Sequence, residues 1–425
     1  MGCNNMKKLE RVDLSDWVIH FVHDRIPQDF SEWYRMDSED EIVNIIPSYF
    51  DFDGKPCYIS EEMIDEEYPI DEDASAISVL MKILHDGYIR SGWAFRKNRP
   101  TIYGPFSAVC FTEMPLGSLI NYARTRNKYV GTYGIALKRN ELCSVGGRQV
   151  IYGLSTQHIE ADTEDPLLGY GLRTLSNKCG IGIEEQYRYV ATNIQKDIPI
   201  DWTHEREWRW PLKNEDCGVN GLPILLDEDY IIQFSDLIII VDKKGEKVEI
   251  LQLLKNMYDA GSSNLGYGYN LNLLKKTKVI SVEEIEDNFS DISKIKFDDI
   301  SGTLYSNMPS IKVDKETIKH VEKVWKQAGI IAYEASKRFY SEIMNNHDTG
   351  LAGFSNVVTY EQTEITQALL NLGIAKSYAD GRYVLYGLPE IQVQSLDVHE
   401  AGVKAAAKYM SESLNQLFTY SSRLD

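Results

Sequence analysis

The chain has 425 residues, a length that suggests two to three domains, and its 43% apolar content is enough to build cores, which excludes a disordered chain. A formal net charge of −19 argues against a generic nucleic-acid coat, because phosphate contacts need concentrated Lys and Arg. No run of about 18 apolar residues predicts a membrane span, and the start, MGCNNMKKLERVDL, lacks the apolar segment of a secretory signal, so a cytoplasmic protein with no membrane partner is expected.

In chain order, WVIHFVHD (17–24) is apolar and β-branched and reads as a strand with His20 near its middle. An acidic arm follows. Residues 37–73 hold fourteen Asp and Glu against the single base Lys55, so this insertion supplies −13 of the −19. It reads as a solvated surface insertion; the sharper alternatives are a nucleic-acid mimic or a lid against anionic ligands. Residues 75–92 have helical spacing at Ile77, Leu80, Met81, Ile83 and Leu84, with Gly87 as the stop. SAVCFTEMPLGSLINYA (107–123) predicts a buried strand, a turn at Pro115 and a helix. Strands are expected at 133–139 and 148–154, split by a turn at SVGG, a helix over 182–194, a buried strand within 230–245 and a strongly periodic helix over 246–261.

The Gly-, Ser- and Asn-rich stretch opening 261–310 reads as a loop and linker. From 311 onward three amphipathic helices are expected, the last over 399–418, with a short hairpin-like region between the second and third. That last third holds 12 bases against 14 acids, which does not favour a phosphate-binding face, and its small-residue stripe (Ala401, Ala405, Ala406) suits close helix packing. The expected organisation is a first domain over 1–260 with the insertion 37–73, a linker over 261–310 and a mainly helical C-terminal domain over 311–425. The fold class is α+β. Neither GxGxxG after a strand nor GxxxxGK[ST] occurs, so the common phosphate-cradling loops are excluded.

The chemistry-bearing stretch is DWTHEREWRWPL (201–212). Read as one strand, it places Glu205, Glu207 and Arg209 on one face and Trp208 and Trp210 on the other, where the indoles are buried. Two carboxylates one pleat apart lie about 7 Å from each other and can act on two parts of one substrate. Glu113 reads as a cap for the helix after Pro115. His204 beside Glu205 has no third ligand at useful spacing, so no metal is expected. The six cysteines are widely spaced, with no CxxC pair, and read as reduced structural thiols.

His20 in WVIHF, the helix ending in ILHDGYI, the strand VCFTEMPL and the pair of acids in EREWR together resemble the ADP-ribosyltransferase superfamily over residues 12–245. More narrowly they resemble phage-resistance proteins of the AbiGi type and toxins of the DarT type. The resemblance implies a split β-sheet domain that takes NAD as substrate. It gives Glu207 the stabilisation of the oxocarbenium-like transition state and Glu205 the general-base role toward the acceptor, with His20 on the adenosine-side ribose. Tyr152 or Tyr103 would stack on nicotinamide, and Arg148, Arg96 and Arg209 would meet the pyrophosphate. It further implies a toxin or anti-phage defence effector that modifies a DNA, RNA or protein acceptor, with an antitoxin or regulatory partner held by the C-terminal helices. The acidic arm and the lack of a Ser-Thr-Ser motif depart from the family pattern. Two other readings stay open: a non-catalytic binding or regulatory module on a degenerate form of that fold, and a metal-dependent hydrolase or nuclease using Glu205, Glu207 and Glu113.

Overall fold

The computed structural model describes residues 15–25, 70–71, 73–92, 101–125, 132–154, 173–194, 200–213, 219, 221–227, 232–263, 266–293 and 295–424, together with the backbone of 34–36, 42–44, 95–96 and 99–100. Most of the acidic arm and the side chain of Arg96 lie outside the described residues. The chain divides into two compact units, Met1–Leu251 with Tyr267–Met308, and Gln252–Gly266 with Pro309–Asp425.

The first unit is built from β1 (Trp17–Val22), α1 (Ala76–Asp86), β2 (Ala108–Thr112), α2 (Leu116–Thr125), β3 (Tyr133–Lys138), α3 (Arg139–Ser144), β4 (Arg148–Gln149), β5 (Ile151–Leu154), β6 (Tyr189–Thr192), β7 (Glu207–Pro211), β8 (Leu237–Val241), the start of α4 (Lys244–Ala260), whose residues from Gln252 onward belong to the second unit, α5 (Leu271–Lys276), β9 (Lys278–Ser281) and α6 (Val282–Asn288). Seven strands make one sheet in the order β9-β8-β3-β1-β2-β7-β4, antiparallel except for β8 and β9. Alternation along β1 sends Trp17 and Ile19 to one face. There they join Ala136, Ile238 and Ile240 beneath Leu116, Leu119 and Ile120 of α2 and Val282 and Ile285 of α6. Each such buried side chain contributes about 2 kcal/mol. Helix α1 ends as its spacing predicts, because Gly87 adopts φ 77° and its N–H donates to the carbonyls of Ile83 and Leu84.

The pairing around β1 is uneven. It meets β3 over six residue pairs but β2 at one bridge, Ile19 with Thr112. Had that register continued, Phe21 would meet Cys110; instead the His20 imidazole takes the Cys110 carbonyl, with Nδ1 2.9 Å away.

Two expectations change here. Residues 182–194 form a 3₁₀ turn, Ile183–Arg188, followed by β6, rather than a helix. The β-branched and aromatic run Tyr189–Thr192 pairs in parallel with β5, and that pairing outweighs local helical spacing. The stretch 261–310, expected as loop and linker, holds α5, β9 and α6, and β9 is an edge strand of the main sheet. Its elements are four to seven residues long, too short to show a period.

The second unit contains α7 (Lys315–Arg338), β10 (Gly353–Thr359), α8 (Glu364–Asn371), β11 (Ala375–Ser377), β12 (Tyr383–Leu385), α9 (Leu396–Leu414) and β13 (Thr419–Leu424). It is mainly helical, as expected, with an antiparallel sheet, β11-β12-β10-β13, added. Asp314 caps α7 by accepting the N–H groups of Glu316 and Thr317 at 2.7 and 2.8 Å. The inner sheet face, Val357 and Leu385, packs on Val324 and Ala328 of α7 and Ala406 and Met410 of α9. Among the described residues no helix is long and apolar enough to cross a membrane.

Candidate active site at the head of a central strand

The stretch around the two acids is not one strand. Asp201 accepts the Thr203 N–H at 2.9 Å and its hydroxyl at 2.6 Å, which starts a 3₁₀ turn over Thr203–Glu205. Arg206 then takes a left-handed conformation, φ 46°, and β7 begins at Glu207. Glu205 therefore does not alternate with Glu207, and the expected one-pleat separation of the two carboxylates does not apply. They are held separately. Tyr122 on α2 donates its hydroxyl to Glu205 Oε1 at 3.1 Å, and Thr112 Oγ1 donates to the Glu205 carbonyl.

Glu207 pairs with Thr112, Trp208 with Phe111 and Arg209 with Cys110. The indoles behave as the alternation requires. Trp208 and Trp210 are buried; Trp208 donates Nε1–H to Glu113 Oε2 at 2.9 Å and Trp210 to the Val145 carbonyl at 3.0 Å. Glu113, expected as a helix cap, is instead a buried hub that also binds Arg139 and accepts from Gln149 Nε2 at 3.4 Å. It stands with Trp208, away from Glu207, so Glu113 does not join the other two acids.

On the opposite face Arg209 is almost wholly buried. Its Nε donates to Glu207 Oε1 at 2.7 Å, an Nη to Oε2 at 3.3 Å, and the other Nη to the Tyr187 carbonyl at 2.6 Å. Burial works against its charge, but the Glu207 carboxylate outweighs this and holds the guanidinium above its ordinary pKa. Cys110 lies beside this pair, and burial first, then the Glu207 charge, pushes its thiol up. Tyr152 accepts the Glu207 N–H on its phenol oxygen at 2.9 Å. Burial first, then the charges of Glu207 and Glu205 against that hydrogen bond, push the phenol up to about 12.

The remaining expected residues divide. His20 shares its register level with Phe111, against whose ring it sits at 5.8 Å, and so faces the Trp208 side of the sheet rather than the Glu207 side. Burial lowers its pKa from 6.5 to about 4, so it is neutral near pH 7; Nδ1 then carries the proton donated to Cys110. Tyr103 is 1% exposed and edges onto Tyr189 at 5.4 Å, with Leu175 in the same cluster and the Arg173 guanidinium over its ring, so it has no open face for a nicotinamide. Arg209, expected at a pyrophosphate, is committed to Glu207 and backbone carbonyls. Arg148 is exposed beside it across β7 and β4, donating to the Cys143 and Gly147 carbonyls at 2.7 Å each. The His204 ring lies 5.2 Å from that of Tyr122, and among the described residues no three His, Cys, Asp or Glu gather as metal donors would.

Comparison of the chain with family models, curated proteins and solved structures finds no match. The site therefore rests on its own geometry. Two members escaped the sequence reading. Tyr122 lies within a helix whose spacing reads as apolar, and Cys110, although inside VCFTEMPL, alternates with the buried Phe111 and reads as a structural thiol.

Proposed function

We propose that the first unit is an ADP-ribosyltransferase-like enzyme that consumes NAD and modifies a macromolecular acceptor, as a cytoplasmic toxin or anti-phage defence effector. The observation that supports it best is the separate anchoring of two carboxylates at the head of β7. One is oriented by a buried guanidinium, the other by a phenol, and both adjoin Thr112, where β1 and β2 keep their one bridge. Cleaving the bond between nicotinamide and ribose builds positive charge on the sugar, and NAD supplies that activated bond. Carboxylates fixed in place before the reaction stabilise such charge without reorganising. Glu207 suits the ribose hydroxyls and Glu205 the proton of the acceptor, with Arg148, exposed and paired across from Arg209, an available cation on that face.

The fit is to the nicotinamide-ribose half of the dinucleotide. His20 lies on the other face of the sheet and Tyr103 is enclosed by Tyr189 and Arg173, so neither is assigned a contact with NAD. These two placements, and the pairing of Glu207 with Arg209, favour a second reading, a binding or regulatory module on a degenerate form of the same fold. A metal-dependent hydrolase has less support, because Glu113 is bound to Trp208, on the face of the sheet opposite Glu207.

Nicotinamide release from NAD by the full chain separates the first two. For an enzyme, Glu205→Gln and Glu207→Gln each lower release by about a hundredfold or more while the melting transition persists. A wild-type chain that leaves NAD intact in the presence of candidate DNA, RNA and protein acceptors overturns the catalytic reading.

A further inference from the structure

The second unit, taken as a whole, has no basic excess, yet its bases are not evenly spread. Strand register fixes which residues share the outer face of its sheet. Lys376 pairs with Val384, Val384 with Val358, and Phe354 with Arg423. The Tyr386 N–H donates to the Ile374 carbonyl, which extends the β11–β12 ladder and puts Tyr386 on the Val384 side. Val358 and Val384 form a buried floor, while Phe354 is 50% and Tyr386 43% exposed, so both rings are open to a flat partner.

The cations interleave with the rings. Arg423 lies 5.8 Å from the Phe354 ring centre, and Lys376 and Arg382 lie 5.2 and 5.6 Å from that of Tyr378. The Tyr378 and Tyr386 hydroxyls are 2.6 Å apart, which ties the two rings into one surface. Arg382 is paired with Asp380 at 2.6 Å, leaving Lys376 and Arg423 as the cations whose described partners are rings. Burial first, then Tyr378, push the Tyr386 phenol up to about 12, against the charges of Arg382 and Arg423.

The geometry points to a binding surface for single-stranded RNA on the outer face of the β11-β12-β10-β13 sheet. Open aromatic rings take unstacked bases, and guanidinium and ammonium groups between them meet the phosphates. Asn356 and Ser421, cross-strand partners on the same face, offer an amide and a hydroxyl to the 2′-hydroxyl that distinguishes RNA from DNA. A duplex, whose bases are stacked inside, cannot use the rings. This inference concerns the second unit alone and stands whether or not the first unit consumes NAD.

The test is fluorescence anisotropy of the full chain with a labelled twelve-nucleotide RNA of mixed sequence at low salt, beside the same sequence as DNA and as duplex RNA. Stacking of about 1–3 kcal/mol per base predicts that Phe354→Ala and Tyr386→Ala each weaken binding about tenfold, and Arg423→Glu by a similar factor. Phe354→Trp keeps affinity. Two to three phosphate contacts give a slope of about −2 for log affinity against log salt. Ile330→Ala, at an exposed position on α7, leaves affinity unchanged and serves as the control. All these side chains are at the surface, so melting temperatures should match wild type and lost binding cannot be lost folding. The inference is overturned if wild type binds no RNA, if the face variants bind as wild type does, or if DNA or duplex RNA binds equally well.

Discussion

Replacing Arg209 by Met tests how the candidate site is held together. The Arg209 side chain is 6% exposed and that of Glu207 13%, so removing one partner strands a carboxylate with little water to replace its donor. Breaking a buried pair from one side costs about 3–5 kcal/mol. The remaining exposure of Glu207 favours the lower end, and the Tyr187 and Tyr189 carbonyls, which accept from the same nitrogen at 2.6 and 3.4 Å, add about 1 kcal/mol. A loss of about 4 kcal/mol should lower the melting temperature of the first unit by about 8–16 °C. Differential scanning calorimetry reads this directly. Adding Glu207→Gln to Arg209→Met removes the stranded charge and should recover about half the loss, whereas independent sites would add. An Arg209→Met chain that melts within 2 °C of wild type would refute the reasoning, because the pair would then be screened by solvent.

Three further outcomes are expected. His20 has a folded pKa of about 4 against 6.5 in the unfolded chain, so the unfolded state takes up the proton first as pH falls; wild type should lose up to about 3 kcal/mol between pH 6.5 and 4. His20→Gln should lose less over that window, and melts at pH 4–8 would show it. Arg206, at φ 46°, should tolerate Asn, which visits the left-handed region, while Val costs about 1–2 kcal/mol more in urea titrations. In α9, a Cβ at Gly402 would stand 2.2 Å from Ser336 Oγ and 2.8 Å from the Ala332 carbonyl of α7, so Gly402→Ala should destabilise the second unit by about 1–3 kcal/mol, seen as an earlier melting transition.

How much of this was legible depends on the length of each signal. The strands at 17–22, 108–112 and 237–241 carry mainly apolar runs, and α4, α7 and α9 carry enough turns for a period to show. The burial of Trp208 and Trp210 followed from alternation alone. What alternation could not reveal is where a strand begins. Asp201 and Thr203 bend the chain locally, and Arg206 breaks the register between the two acids, so Glu205 was assigned to a face it does not share. His20 failed for a related reason: the side it faces depends on its pairing with β2, a contact no local pattern encodes. Edge strands such as β13 (TYSSRL) are short and polar, and nothing in their sequence sets them apart from loop. The balance of C-terminal bases and acids has no geometry, and the register of the sheet gathers Lys376, Arg382 and Arg423 on one side.

The central position of β1 has a kinetic consequence. It is the earliest strand of its sheet in the chain, yet its six-residue ladder joins Trp17 to Lys138 and Val22 to Tyr133. During synthesis this apolar hairpinless segment must wait, unzipped, until β3 emerges from the ribosome, and the parallel edge at β9 closes later still. Long-range closure of this kind is slow and leaves sticky nascent chain exposed. Refolding of the first unit should therefore lag behind that of the second, where β11 and β12 are joined by a tight turn.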